Sequence, residues 1–189
     1  MSIARDKHTA TLLHDGRVLI VGGKQADIYD PAGQSFSMAA SSPTNRSSHA
    51  AVRLSNDTVL VTGGYVGSLP ASDAWIFDPA TSSFTLLPAT MVIPRATHAM
   101  TLLLSGEVLV TGGFTGTSPH DEVDIYDPTA QTFTGVRHML FHRSNHEALL
   151  LPNGKVLVVG GTTLESGFLA TNEVYDPAQD TWTKDDYVM

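Results

Sequence analysis

The sequence predicts an all-β protein in which four four-stranded antiparallel sheets stack face to face about an axis, as the blades of a propeller do. Three observations predict it. The segments "RDKHTATLLHDGRVLIVGG", "RSSHAAVRLSNDTVLVTGG", "RATHAMTLLLSGEVLVTGG" and "RSNHEALLLPNGKVLVVGG" repeat one pattern, and the first glycine of each pair, Gly22, Gly63, Gly112 and Gly160, always follows His8, His49, His98 or His146 by fourteen residues. The unit recurs after 41, 49 and 48 residues, a period that marks solenoids, propellers or other arrays. Runs such as "VLIV" and "VLVV" are apolar at successive positions, which reads as a strand covered on both faces, and no segment sustains a helical period. A sheet with two apolar faces cannot stand alone. Its copies must stack, and closing the stack about an axis gives the propeller.

Each element of the unit follows from its residues. After the histidine comes a short run ("TATLL", "AAVRL", "AMTLLL", "EALLL"), then "DG", "ND", "SG" or "NG", then the run that ends in the glycine pair. Asn-Gly and Asp-Gly between apolar runs predict a hairpin, with both central residues of a type I′ turn at positive φ. A third strand ends at "IYDP", "IFDP", "IYDP" or "VYDP", halted by a proline that cannot continue a ladder. The fourth carries an aromatic, Phe36, Phe84, Phe133 or Trp182, seven residues beyond Tyr29, Phe77, Tyr126 or Tyr175. The four units are expected over residues 4–38, 45–87, 94–136 and 142–184, within one domain spanning 1–189.

Composition narrows the function. A chain of 189 residues that is 42% hydrophobic can bury a sizeable core. A net charge of −8, with arginines spread evenly along the chain, argues against nucleic acid and anionic membranes as partners. No run of about 18 apolar residues is present to insert into a bilayer. With no cysteine there is no disulfide, thiolate metal site or cysteine nucleophile. The start, "MSIARDKHTATLL", lacks the features of a secretory signal. The expectation is a cytoplasmic chain, or a piece of a secreted or cell-surface protein.

On "RxxH", the double glycine, "YDP" and the late aromatic, recurring in order across the chain, the sequence resembles the kelch family in the form found in the central domain of galactose oxidase and its bacterial relatives. It departs from that pattern where Phe replaces Trp in three units, where Asp57 takes the turn glycine's place, and where only "KQA" separates Gly23 from Asp27. The resemblance implies rings of six or seven blades. Four units are then consecutive blades of a larger ring, or an arc that closes on itself or pairs as a homodimer through its open end blades. An enzyme resembling galactose oxidase would need copper and a tyrosine cross-linked to cysteine, and the cross-link is excluded in a chain without cysteine. Sialic acid epimerases resembling kelch proteins work in a central pocket.

A nucleophile, metal ligand or phosphate loop is normally needed once, so a motif present four times reads as scaffold. Arg5, Arg46, Arg95 and Arg143, with the four histidines, are expected to satisfy backbone carbonyls where one blade meets the next. The pairs Gly22–Gly23, Gly63–Gly64, Gly112–Gly113 and Gly160–Gly161 are expected to allow close approach of backbones. No catalytic residue, metal or cofactor is assigned. Strand reversals place the "RxxH" motifs and the variable loops on one rim. There "SPHDE", with His120, Asp121 and Glu122, and the linker histidines His138 and His142 read as solvated, because adjacent loop residues point apart and no familiar ligand spacing such as "HExxH" is present. Tyr65, Phe114 and Phe168, with Glu165 nearby, suit partner contact or sugar stacking, and Tyr65 and Phe114 equally suit packing against the adjacent blade. The functional expectation is a noncatalytic recognition module binding a protein or carbohydrate partner through this rim, with a kelch enzyme fragment or a structural cell-surface repeat array as the alternatives.

Overall fold

The computed structural model describes residues 3–165 and 167–185, all strands, turns and loops. The second unit is a meander of Ala50–Arg53, Val59–Thr62, Ala74–Asp78 and Ser83–Leu86, paired in that order. The third repeats it with Ala99–Leu102, Val108–Thr111, Val123–Asp127 and Thr132–Val136, and the fourth with Glu147–Leu150, Val156–Val159, Asn172–Asp176 and Thr181–Asp185. In the first unit Thr9–Leu12 is followed by one strand span, Val18–Asp30, and by Ser35–Ser47, which runs on into the arginine of the second unit. Arg5 shows how that long span is bent. Its guanidinium reaches the carbonyls of Ile20 and Gln25 and the carboxylate of Asp27. An extended run would put residues 20 and 27 about 23 Å apart, so residues 22–25 reverse the chain. The "KQA" stretch is short enough to make the variable loop of the other units a tight turn here.

The hairpin turns are not type I′. The N–H of Gly16, Asp57, Gly106 and Gly154 each donates to the carbonyl three residues back, and the carbonyl of the next residue accepts the N–H of Leu13, Leu54, Leu103 or Leu151. Only Gly16, Asp57 and their equivalents have positive φ, 86° at Gly16 and 68° at Asp57, whereas the residue before each does not. This is a three-residue loop, a type I turn followed by one left-handed residue. Needing a single left-handed position, it tolerates an aspartate where two such positions would not. The side chains of Asp15, Asn56 and Asn153 accept the N–H two residues on and close the turn. The "DP" corner works similarly: the carboxylates of Asp30, Asp78, Asp127 and Asp176 accept the N–H two residues beyond. The reversal stacks the late aromatic on its cross-strand partner, with ring centroids 4.8 to 5.0 Å apart in all four units.

The core lies between units. Leu19, Val21, Ala26 and Ile28 meet Val59, Val61 and Phe77. The other face of the second unit, with Leu60, Ala74 and Met91, meets Val108, Val110 and Tyr126. Leu109, Val123 and Met139 meet Val156, Val158 and Tyr175. Alternate residues of each central strand serve opposite junctions, which is why the run is apolar throughout. Full burial of each such side chain contributes roughly 1.5–3 kcal/mol.

The arc is open. First strands of successive units pack beside one another, but among the described residues no such packing joins the first unit to the fourth. The faces without a neighbour show it: Leu12 is 63% exposed on the first unit and Leu149 56% exposed on the fourth, where Leu157, Val159 and Val174 are only half buried.

The same contrast separates two glycines that occupy one repeat position. A Cβ on Gly112 would lie 2.5 Å from the carbonyl oxygen of Arg143 and 2.9 Å from the His146 ring, whereas one on Gly160 would meet nothing within 4 Å. Both residues have positive φ. We expect Gly112→Ala to cost about 3 kcal/mol through clash and strain together, and Gly160→Ala about 1 kcal/mol through strain alone. Chemical denaturation in dilute solution checks this, and equal losses would contradict the close-approach account.

Candidate recognition rim

The repeated polar residues build the rim's foundation, and they divide the work. Each arginine serves its own unit, not the junction with the next. Arg46, Arg95 and Arg143 donate to the carbonyls of Gly63, Gly112 and Gly160 at 2.6, 3.1 and 2.6 Å. They also pair with Asp73, Asp124 and Glu173 at 2.7, 3.2 and 2.7 Å, as Arg5 does with Asp27. The clamp ties the start of the unit to the ends of its second and third strands. All three of these arginines are buried. Burial pushes the Asp124 carboxyl up and Arg95 draws it down. Removing one partner of such a buried pair leaves a charge without compensation and typically costs 3–5 kcal/mol, about a small domain's margin.

The histidines serve the junctions, through a threonine hydroxyl and, for His49 and His146, also through the backbone of Val21 and Thr111 in the preceding unit. The Nε2 atoms of His49, His98 and His146 share hydrogen bonds of 2.8–2.9 Å with Thr9, Thr62 and Thr111 of the preceding unit. Burial first, and the neighbouring arginine second, lowers His49 and His146 to about 3 and His98 well below the usual range. These imidazoles are therefore neutral at pH 7. His8, in the first of the four units, is exposed.

A backbone feature accompanies them. The third residue of each "RxxH", Lys7, Ser48, Thr97 and Asn145, has φ between 49° and 54°. The N–H of Ser48 donates to Lys7, that of Thr97 to Ser48 and that of Asn145 to Thr97, at 2.8–3.0 Å. Equivalent residues are thus linked from unit to unit.

The variable loops sit on this base. Residues next to the repeat arginines pair with them: Ser47 with Tyr65, Ala96 with Phe114 and Ser144 with Thr162. Tyr65 and Phe114 are half buried and line a groove of about 270 Å³ with Thr97, Asn145, Thr162 and Leu164. Tyr65 also borders a second depression of about 430 Å³, shared with Lys24 and Asn45. Phe168 stands 87% exposed on the small hairpin Thr162–Thr163 and Gly167–Phe168, beside exposed Glu165. Sequence reasoning missed two further apolar tips, Leu69 at 72% and Leu164 at 66% exposure. The Gly-Ser pair of "YVGSLP", flanked by apolar residues, was the available signal for the first, since Leu69 lies on the hairpin Tyr65–Val66 and Leu69–Pro70.

"SPHDE" departs from the expectation of a solvated loop. His120 is only 5% exposed, its backbone bridged to Arg143. Its Nδ1 lies 2.8 Å from Glu122 Oε2, off the line of a well-directed hydrogen bond. Burial, then Arg95, lowers it to about 4. Asp121 sits between His138 at 3.4 Å and His142 at 3.6 Å, both mostly exposed. Ligand atoms of Asp121, Glu122 and His138 all lie within 4.8 Å of one another, so this trio has the reach to hold a divalent cation. The loop residues converge because the carbonyl of Asp121 accepts the N–H of Met139, bringing the linker histidine over them.

A family model described as the KLHDC2/KLHL20/DRC7 Kelch-repeats domain matches residues 8–187. The chain belongs to the kelch-repeat family. Kelch domains are typically protein-interaction modules. A search of curated proteins finds no match. Within this kelch array the arginine clamps and histidine bridges are common to the units, so individuality lies in the loops above them.

The histidine bridges carry a pH dependence of definite sign. The unfolded chain binds protons at these imidazoles near pH 6.5, whereas the folded chain resists them to about pH 3 at His49 and His146. Stability is therefore full above about 6.5 and falls as pH drops below it, by about 2 kcal/mol per histidine at pH 5. Thermal melts at pH 7.5 and 5 should show a clear loss, reduced in His98→Gln. A midpoint indifferent to pH across this window would contradict the neutral, buried bridge.

Proposed function

We propose that this kelch array is a noncatalytic recognition module that binds a protein partner through the variable-loop rim, with Leu69, Leu164 and Phe168 as apolar anchors and Tyr65 and Phe114 as the groove between them. The observation that carries the reading is Phe168, an aromatic ring 87% exposed on a hairpin beside a formed groove. Single exposed apolar residues need no explanation, but aromatic and aliphatic tips gathered on one rim fit an interface hot spot. The acidic balance of the chain favours a partner with basic or neutral contact residues.

One observation supports a carbohydrate as the second reading. The groove puts two aromatic rings beside the polar groups of Thr97, Ser144, Asn145 and Thr162, a mixture suited to stacking and hydroxyl recognition.

Affinity purification from cell extract, run in parallel with the native chain, Leu164→Asp/Phe168→Asp and a control altered on the opposite rim at His14 and Asn56, tests the first reading. A partner should be retained by the native chain and the control and weakened at least tenfold in the double variant, with its melting temperature unchanged. Equal recovery by all three would exclude this rim. A glycan array giving signal that Tyr65→Ala abolishes would favour the carbohydrate.

A further inference from the structure

We propose that Asp121, Glu122 and His138, with His142 as fourth donor, form a divalent metal site of the zinc class that pins the variable loop of the third unit to the linker leading into the fourth.

The backbone frame of this site is common to the units, and its donors are not. The N–H of Met139 donates to the carbonyl of Asp121 and that of Arg143 to the carbonyl of His120, so the linker is tied to the loop at two points. His138 and His142 each stand one residue before a tie. The second unit makes the same two bonds, from Met91 to Ser72 and from Arg95 to Ala71. There the positions of His138 and His142 hold Thr90 and Pro94, and those of His120, Asp121 and Glu122 hold Ala71, Ser72 and Asp73. In the fourth unit Leu169 donates to Gly161 as His120 does to Gly113, and the same three positions hold Leu169, Ala170 and Thr171. The frame thus forms without imidazoles or paired carboxylates. Nor does the clamp use Glu122 as it uses its counterpart. Asp73 pairs with Arg46, whereas Arg95 takes only the backbone carbonyl of Glu122 and pairs its charge with Asp124. The carboxylates of Asp121 and Glu122 remain to balance a cation.

The spacing suits a shared ion. Asp121 Oδ1 lies 3.4 Å from His138 Nδ1, and Oδ2 lies 3.6 Å from His142 Nε2. Both gaps exceed an ordinary N–H···O bond of about 2.7–3.2 Å. They lie close to the edge of about 3.4 Å that separates two donors held about 2.0–2.1 Å from one tetrahedral ion. The donor atoms of Asp121, Glu122 and His138 all fall within 4.8 Å of one another, and turning the exposed His138 ring brings them closer.

A buried side chain beneath the cluster points into it. His120 is 5% exposed, and neither of its ring nitrogens has a hydrogen-bond partner among the described residues. Buried polar groups are almost always paired, so this one calls for a reason. Its Nδ1 stands 2.8 Å from Glu122 Oε2 but off the line of a good bond. A carboxylate turned toward an ion comes into line with that nitrogen, which is how an outer partner orients a metal ligand. His120 is therefore a positioning residue. Two imidazoles with two carboxylates favour zinc over magnesium or calcium, which take oxygen donors, and four protein donors make a closed, structural site.

Calorimetric titration of the chelator-treated native chain with Zn²⁺ tests the proposal. One ion per chain should bind with a dissociation constant at or below about micromolar, unaffected by excess Mg²⁺, and Co²⁺ should give the visible absorption of a four-coordinate site. Asp121→Asn combined with His138→Ala should weaken binding at least a hundredfold, and His120→Gln about tenfold. His14→Ala, an exposed histidine beside Asp57 on the opposite rim, should leave it unchanged. Zinc should raise the melting temperature of the native chain and not that of the double variant, whose fold circular dichroism confirms. A native chain that binds no zinc at millimolar concentration overturns the proposal, as does binding that the double variant leaves intact.

Discussion

Everything in this fold depends on how closely one sheet can approach the next at the glycine pair. At Gly63 and Gly112 the neighbouring unit's arginine carbonyl and histidine ring occupy the volume a side chain would need. That approach lets the second glycine's N–H bond across the junction and brings the imidazole within reach of a threonine. It also sets the spacing at which valines from two sheets interdigitate. Widening the junction by one methyl group would disturb all three at once, so the glycine, arginine and histidine recur together.

The polar groups at these junctions are costly to bury and are retained because they act in two directions. The arginine clamp makes each unit a rigid body by fixing its entry segment to two of its strands. The histidine then joins rigid bodies. Had one residue type done both jobs, a unit could not hold its shape until its neighbour arrived. Separate clamps and bridges allow units to differ in their loops while meeting at the same angle, which is what an array presenting variable loops on a common rim requires.

The repeat, the strand order and the rim were legible because they depend on patterns the sequence states directly: fixed spacings, runs of apolar residues and prolines at corners. Direction of bonding was less so. The arginine and histidine were both assigned to the junction, since spacing does not reveal whether a side chain turns inward or across. The turn type was misread because Asn-Gly and Asp-Gly serve both the two-residue and three-residue loops, and Asp57 was the residue that distinguished them. The left-handed residues Lys7, Ser48, Thr97 and Asn145 were invisible, having no side chain in common and, apart from Asn145, none of the usual signals. The histidine and carboxylate set is named by the sequence but read as solvated, because Asp121 and His138 are brought together by a linker hydrogen bond that local spacing cannot express.

The separation of tasks along the axis also explains why the rim can carry exposed apolar groups. Phe168 and Leu69 sit on small hairpins that pair with the rim and contribute little to the core between sheets. Their exposure is a cost the fold does not recover internally, because turning them inward would require the hairpins to leave the backbone pairs that hold Tyr65 and Thr162 against the repeat motif. The apolar faces at the two ends differ in kind. They are ordinary core surfaces, patterned like the internal junctions, and what they lack is a neighbour. A rim is set by the identity of its loops, whereas the faces between sheets reproduce one geometry from unit to unit, so the loops can vary without disturbing the junctions beneath them.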